Sequence, residues 1–315
     1  MPPRRNPLVR AATAGATLAF LRISGLLPLR VNRAIAVPAG RVLAGLVPRV
    51  RRIAMQNLDH AYGDTLTAAE KERIFRGAVD NLSLAAAEFA HLARIAKAGA
   101  VTVEGLEYVD PGRGYLFISA HLGSWELMGP FMAMAGGHKV AVVVRPFDSP
   151  RVDRAIDRLR TAVGVKTIPK DKAGGAIIRH LKDGYRVGVM LDQSPRENGV
   201  PVTFFGAPCW ATVAPVMIAV RAKVPILPLS LVRDAGGRYV LRLYPPIELE
   251  RTGNLRADLV RNSQRCQDAI ERMVRAHPEQ WLWFHRRWKE RPRLAEEWKR
   301  REARDTGREV RSSEQ

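Results

Sequence analysis

Hydrophobic and polar positions divide the 315-residue chain into two regimes. Through the first hundred residues apolar side chains recur at helical spacing. Residues 11–21 and 23–29 are apolar on either side of Arg22, and residues 48–61 set Val50, Ile53, Leu58 and Ala61 beside a basic face. Thr67 opens a further helix, because T-A-A-E places Glu70 three residues after the cap. The helical pattern runs to about residue 96, with a break expected near Asn81. Beyond residue 99 short β-branched runs alternate with amphipathic stretches. Strands are expected at 99–109, 115–120, 139–144, 166–168 and 186–191. Helices are expected at 125–135, 151–163 (stopped by Gly164) and 174–182. Such alternation predicts an α/β fold with a largely parallel sheet. Residues 202–206 (VTFFG) read as an apolar loop or short strand, and a helix is expected from Thr212 to about 222. Residues 225–233 and 238–244 form an antiparallel pair around the turn D-A-G-G. A long helix at 254–277 precedes an aromatic and basic cluster at 278–292. The fold class expected is α/β, a mixed but mostly parallel sheet with flanking helices behind a helical N-terminal region. Three segments follow: 1–30 as an N-terminal membrane anchor or interfacial helix, 31–292 as the main domain, and 293–315 as a charged, disordered tail.

Composition sharpens this division. With 46% hydrophobic residues the chain can bury a substantial core. Two cysteines, Cys209 and Cys266, point to neither a disulfide framework nor a metal cluster, and so to a reducing compartment. The net charge is +20, with 41 Arg and 10 Lys, which calls for an anionic partner: nucleic acid, membrane lipid or an acidic protein. Residues 1–52 carry ten Arg and no acid. Only eleven uncharged residues separate Arg10 from Arg22, too few for a bilayer crossing of about 20 residues. No small-residue cleavage site ends a clean apolar core. The segment reads as an uncleaved, Arg-rich anchor lying in or dipping through a membrane surface. The alternative is an ordinary amphipathic helix over the core.

The chemistry concentrates around residues 115–129. The apolar strand Y-L-F-I-S-A stops at His121, Gly123 and Ser124 break the pattern, and a helix starts with Glu126 in its first turn. Polar groups at the carboxyl end of a strand in an open α/β sheet stand where ligands bind. With His121 in the loop and Glu126 on the helix, the two can meet. A carboxylate there would fix the imidazole's tautomer and make it a general base for a hydroxyl. A capping Glu and a surface His remain the plainer alternative. Arg145 follows the next strand directly, and its plain reading is a surface ion pair with Asp148. Arg160 belongs to a run of charged helix positions and reads as a solvated face. Asp192 ends the strand 186–191, as polar lining or as a turn cap. His285 lies among Trp281, Trp283, Phe284 and Trp288, a mixture suited to a membrane–water interface, a stacking platform for nucleic acid or a packed C-terminal lid. No phosphate-binding glycine loop, paired cysteines, H-E-x-x-H or G-x-S-x-G is present, which disfavours nucleotide, metal and serine-nucleophile chemistry.

Taken together, these blocks resemble one family. H-L-G-S-W-E (121–126) is similar to the H-x-x-x-x-D/E block of the glycerolipid acyltransferase superfamily, in the branch of the late lipid A and phosphatidylinositol-mannoside acyltransferases. R-R-I-A-M-Q-N-L (51–58), V-R-P-F-D-S-P-R-V-D (144–153), R-T-A-V-G (160–164), M-L-D-Q-S (190–194), V-T-F-F-G (202–206) and W-F-H-R-R-W-K-E-R-P (283–292) resemble further blocks of that branch, with Val and Ser replacing the usual Tyr and Asn in the second. The resemblance implies transfer of an acyl chain from a thioester to a hydroxyl of a lipid A precursor or similar glycolipid. His121 would be the general base and Glu126 its orienting partner. It raises Arg160 from a surface residue to a stabiliser of the oxyanion or of donor phosphate, and it places Arg145 and Asp192 at the substrate. It implies an acyl thioester of acyl carrier protein or of coenzyme A as co-substrate, the carrier protein ranked first, membrane lipids as partners, no cofactor beyond the thioester and no metal. The expected location is the cytoplasmic face of the inner membrane. Two other readings stand beside it: a phosphatidylinositol mannoside or other lysolipid as acceptor, or a basic membrane- or nucleic-acid-binding protein without catalysis. No nucleic-acid motif is present to support the last.

Overall fold

A computed structural model describes residues 6–170 and 173–300. Among the described residues, nine strands and ten helices, followed by a helical C-terminal segment, carry the alternation expected from the sequence. The helices α1 (Pro7–Leu26), α2 (Leu29–Leu46), α3 (Pro48–Tyr62), α4 (Ala68–Phe89) and α5 (Leu92–Lys97) come first. Then come β1 (Val101–Glu104), β2 (Tyr115–Ser119), α6 (Trp125–Gly136), β3 (Val140–Val144), α7 (Pro150–Thr161), β4 (Lys166–Pro169), α8 (Ala173–Lys182) and β5 (Arg186–Met190). The hairpin β6 (Gly199–Phe204) and β7 (Ala207–Thr212) leads to α9 (Ala214–Ala222), β8 (Ile226–Arg233), β9 (Tyr239–Leu243) and α10 (Leu255–Ala276). Seven strands make one sheet in the order β1-β9-β8-β2-β5-β3-β4. Every pairing in it is parallel except β8 with β9.

The strand β2 sits at the centre, and all five of its residues are buried. Strand side chains alternate between faces, and β2 feeds two separate cores accordingly. Leu116, Ile118 and Ala120 join the core beneath α8, α9, α10 and the C-terminal tryptophans. Tyr115 and Phe117 join the core beneath α5 and α6, with Leu127, Met128 and Phe131. Both faces of a parallel sheet are thus covered, which accounts for the continuous apolar run.

Several expectations need correction. The helix α4 opens on the full Thr67–Glu70 capping box but is not broken at Asn81. Asn81 is buried there and hydrogen-bonds with its side chain to other segments. The expected strand 99–109 is only four residues long before a 3-10 turn. Residues 202–206 belong to a hairpin whose corner is Phe205 and Gly206, both at positive φ (54° and 71°), as a tight two-residue turn needs. Its second strand, 207–212, was not expected. Residues 292–300 are helical and bury Leu294, so the tail is ordered at least to residue 300, and 301–315 lie outside the described residues. The aromatic cluster is packed inside the fold: Trp281 is 1% and Trp283 0% exposed. Phe284 and Trp288 are half-buried against the same core, so the packed-lid reading accounts for the cluster.

At the other end, the boundary expected at residue 30 falls inside α2. Ser24 is the one buried side chain of α1 and Asn32 that of α2. These two meet, Asn32 Nδ2 donating to Ser24 Oγ (2.6 Å) and to the Ala87 carbonyl (2.8 Å), which pins the pair to α4. Elsewhere the pair exposes Leu8, Phe20, Ile23, Leu26, Ile35, Val42, Leu43 and Leu46. Among the described residues no helix is long and apolar enough to cross a membrane.

Candidate active site

Strand register builds the site. Between β2 and β5 it runs from Tyr115 opposite Arg186 to Ser119 opposite Met190. Leu191 N–H donates to the Ser119 carbonyl (2.9 Å), so the pairing continues past the strands. Two residues on from Ser119 and Met190 stand His121 and Asp192, side by side. Asp192 Oδ1 lies 2.9 Å from His121 Nδ1, and Asp192 Oδ2 accepts from the His121 backbone N–H at 2.9 Å. Trp281 Nε1 donates to the same Oδ2 at 2.9 Å. A carboxylate only accepts, so Nδ1 carries the ring proton and Nε2 holds the lone pair. No described residue bonds to Nε2, which stays open to solvent on a side chain 22% exposed.

Electrostatics follow from this geometry. Burial alone would raise the Asp192 pKa, but the His121 charge and hydrogen bonds hold the carboxyl well below the usual carboxylate range. Burial works against a charged His121, but Asp192, by charge and hydrogen bond, and then Glu126, by charge, raise its pKa above the ordinary imidazole value. The imidazole is therefore more basic than a free one.

Glu126 makes no hydrogen bond to His121 and acts on it by charge alone. It lies in the first turn of α6 and faces α7, where Arg160 grips it in a fork, Nε to Oε2 at 2.9 Å and Nη2 to Oε1 at 2.5 Å. The sequence expectation is corrected for a topological reason: the neighbouring strand already supplies the partner of Nδ1, and the fork satisfies Glu126. Arg160 is not a solvated face residue either. Its side chain is 17% exposed and lies 5.5 Å from the Phe89 ring centroid. Asp192 is no turn cap but a fully buried partner of the histidine. Arg145 follows β3 at the same carboxyl edge, exposed, with no ion pair to Asp148 or to any other described residue. His285 packs edge-on against Trp281 at 5.7 Å, with Nε2 buried and unpartnered, and burial lowers its pKa.

The loop carrying His121 is clamped from beneath by residues to which the sequence alone gave no role at the site. Gly123, at φ +58°, lies so close to Leu231 that an added Cβ would fall 2.0 Å from its carbonyl oxygen. Leu282 N–H donates to the His121 carbonyl (3.0 Å) and Gly123 N–H to the Gln280 carbonyl (2.9 Å), so the C-terminal strap and the loop are bonded. Asn57 Nδ2 donates to the carbonyls of Trp283 and His285, both at 2.6 Å, which secures the strap to α3. Ser124 Oγ donates to Glu88 (2.9 Å), a carboxylate 1% exposed that also pairs with Arg233 (2.5 Å) and Arg33 (2.8 Å). Asn81 and Glu88 are seven residues apart on α4, two turns along one face; that spacing was their one sequence signal. Among the described residues no group of three or more His, Cys, Asp and Glu is placed to hold a metal ion.

A buried carboxylate, a histidine with one free nitrogen and a forked Arg–Glu pair meet at the carboxyl edge of an α/β sheet, an arrangement chemically able to take a proton from a hydroxyl. Residues 4–290 match the bacterial lipid A biosynthesis acyltransferase family, and the chain belongs to it. It is 26% identical over 278 residues to the lipid A biosynthesis palmitoleoyltransferase of Escherichia coli, covering 84% of this chain and 87% of that protein. It is 24% identical over 196 residues to a phosphatidylinositol mannoside acyltransferase of Mycobacterium tuberculosis, and the match spans 59% of each chain. The solved 1-acyl-sn-glycerophosphate acyltransferase of Thermotoga maritima aligns with 73% of this chain at 17% identity and a TM-score of 0.34, a distant likeness.

Proposed function

We propose that the protein transfers a fatty acyl chain from an acyl thioester to a hydroxyl of a lipid A precursor or similar glycolipid. The observation that carries the reading is the 2.9 Å contact between His121 Nδ1 and buried Asp192, which leaves Nε2 free to accept a proton. The acceptor hydroxyl donates to Nε2. As its oxygen attacks the thioester carbonyl, the proton passes to Nε2 and Asp192 balances the imidazolium. The tetrahedral oxyanion then collapses, the C–S bond breaks, and the leaving thiolate takes the proton from His121. An ester and a free thiol result, with no acyl-enzyme. Glu126 occupies Nε and Nη2 of Arg160, which leaves Nη1 for the oxyanion or a donor phosphate. Arg145 meets the substrate at the same edge.

The longer match to the palmitoleoyltransferase supports a lipid A precursor as acceptor. The mycobacterial relatives support a second reading, with phosphatidylinositol mannoside in its place. Acyl carrier protein is the donor carrier in this proposal, since a chain of charge +20 attracts an acidic carrier over long range. The exposed apolar side chains of α1 and α2 would hold the protein to the cytoplasmic face of the inner membrane.

Mass spectrometry of lipids made by the purified protein tests the reading. The protein receives an underacylated lipid A precursor with an acyl carrier protein thioester in one tube and a coenzyme A thioester in another. A gain of one acyl group, lost in His121→Ala, is expected. No gain with either donor on this acceptor, but a gain on phosphatidylinositol mannoside, would replace the first acceptor with the second.

A further inference from the structure

The C-terminal strap buries a cation to which the acyl-transfer chemistry gives no task. Arg287 is 0% exposed and forms no ion pair with any described residue. Its Nη1 donates to the Trp210 carbonyl (2.7 Å) and its Nη2 to Gln267 Oε1 (2.9 Å), while Nε has no partner. A guanidinium stays charged in proteins, and a buried charge is costly unless an opposite charge balances it. The Phe204 ring centroid lies 5.0 Å from its Cζ. Burial pushes the pKa of the Cys209 thiol up and keeps it neutral. Glu271, which acts on Cys209 by charge, is already paired with Arg275 at 2.7 Å. The remaining anion is Asp192, which acts on Arg287 by charge.

Asp192 has the complementary deficit. It is fully buried, and while His121 is neutral its hydrogen-bond partners are all neutral: the ring and backbone N–H of His121 and the indole N–H of Trp281. His285 also acts on Asp192 by charge when protonated, but burial lowers its pKa and keeps the ring neutral. Glu126, the other acid acting on His121, is taken by Arg160. Hydrogen bonds join the two buried charges as well. Gln267, 1% exposed, donates Nε2 to the carbonyl of Leu191 (3.2 Å), in the peptide that leads into Asp192. Arg287 only donates, so it holds the Gln267 oxygen and turns the amide nitrogen to Leu191. On the other side of Asp192, Arg291 Nε and Nη2 donate to the Ser194 hydroxyl (3.0 Å) and carbonyl (2.9 Å). The strap therefore holds the chain both before and after Asp192.

We propose that Arg287 is a positioning residue for the His121–Asp192 pair. Its charge balances the buried Asp192 carboxylate while His121 is neutral, and its bond to Gln267 fixes the peptide that leads into Asp192. Its bearing on catalysis rests on His121 acting as the base proposed above, whereas the test reads the ring itself, with no substrate.

The experiment is the His121 titration, followed by ¹⁵N NMR of the histidine-labelled full-length protein, with His121→Gln to assign the resonance. A proton arriving on His121 is attracted by Asp192 and repelled by Arg287. Arg287→Gln removes the repulsion, so His121 should titrate higher by about one pH unit, the scale of one charge removed at several ångströms in a medium of effective dielectric about 20. Arg287→Lys keeps the charge and should restore the wild-type titration. Arg287→Gln also deletes two buried hydrogen bonds. A site loosened by that loss would admit water and bring His121 down toward the ordinary imidazole value, the opposite direction. Gln267→Glu makes the electrostatic change with the arginine in place: the new carboxylate pairs with Arg287, and His121 should again titrate higher. The proposal is overturned if either Arg287→Gln or Gln267→Glu leaves the titration in place or lowers it. It is equally overturned if Arg287→Lys raises it as much as Arg287→Gln, since packing and not charge would then be responsible. Gln267→Glu decides alone where Arg287→Gln does not fold. These outcomes come from the ring whether or not the wild type transfers an acyl group, so the role of Arg287 and the proposed function fail separately.

Discussion

Asp192→Asn is the change from which most can be learned. It keeps the shape of the side chain and removes its charge. In the wild type that carboxylate is fully buried and 2.9 Å from Nδ1, the ring nitrogen opposite the proposed proton acceptor. Two losses follow. The imidazolium formed during attack loses a charge-assisted hydrogen bond, worth roughly 1.5–3 kcal/mol. The amide can also present an N–H to Nδ1, which turns the ring toward the wrong tautomer. Together these put the cost at roughly 2–4 kcal/mol in the transition state, a fall in kcat of about 30- to 1000-fold. The pH profile separates this effect from misfolding. A base works unprotonated, and Asp192 raises the His121 pKa. Removing it lowers that pKa, so the acid limb of kcat against pH must move to lower pH even as the plateau falls. The assay is single-turnover transfer of a radiolabelled acyl group from pH 5 to 9, with KM followed separately. A variant that melts like the wild type, keeps its plateau rate and keeps its acid limb would refute the pairing argument.

Other consequences can be checked in parallel. Glu126→Gln leaves Arg160, 17% exposed, without its charge partner; transfer should fall by roughly tenfold to a hundredfold as the guanidinium loses its fixed position. Its acid limb should move in the same direction as that of Asp192→Asn but less far, because Glu126 acts on His121 by charge alone. Gly123→Ala places a Cβ 2.0 Å from the Leu231 carbonyl at a φ of +58°, which should cost roughly 3 kcal/mol or more and appear as a lower Tm. Glu88→Gln leaves Arg33 and Arg233 facing a neutral amide in a buried position; a loss of roughly 3–5 kcal/mol is expected, read as a lower urea midpoint at unchanged slope.

Much of this architecture was legible in the chain because local signals and tertiary structure agree. The run 115–120 is apolar throughout since β2 is covered on both faces, and the Thr67–Glu70 box caps the helix it predicted. His121 was legible because it interrupts that run at the edge where sites form. Its partner was not, because the register between β2 and β5 pairs residues 71 positions apart. Spacing along the chain favoured Glu126 instead, which α6 turns toward Arg160. The strand 207–212 escaped notice because A-P-C-W-A-T lacks clean alternation and contains Pro208, a residue tolerated in edge hairpins. The aromatic and basic strap 281–288 has the composition of an interfacial belt. What buries it are contacts far away in sequence: Asn57 on its backbone, Asp192 on Trp281 and the Phe204 carbonyl on Trp288.

The most direct test of the central claim, that Asp192 holds His121 as a base with Nε2 free, is a ¹⁵N NMR titration of the histidine-labelled protein, with His121→Gln to assign the resonance. Neutral His121 should carry its proton on Nδ1 and titrate above the ordinary imidazole value, and Asp192→Asn should bring the titration down. A neutral ring protonated on Nε2, or a titration unmoved by Asp192→Asn, would contradict it.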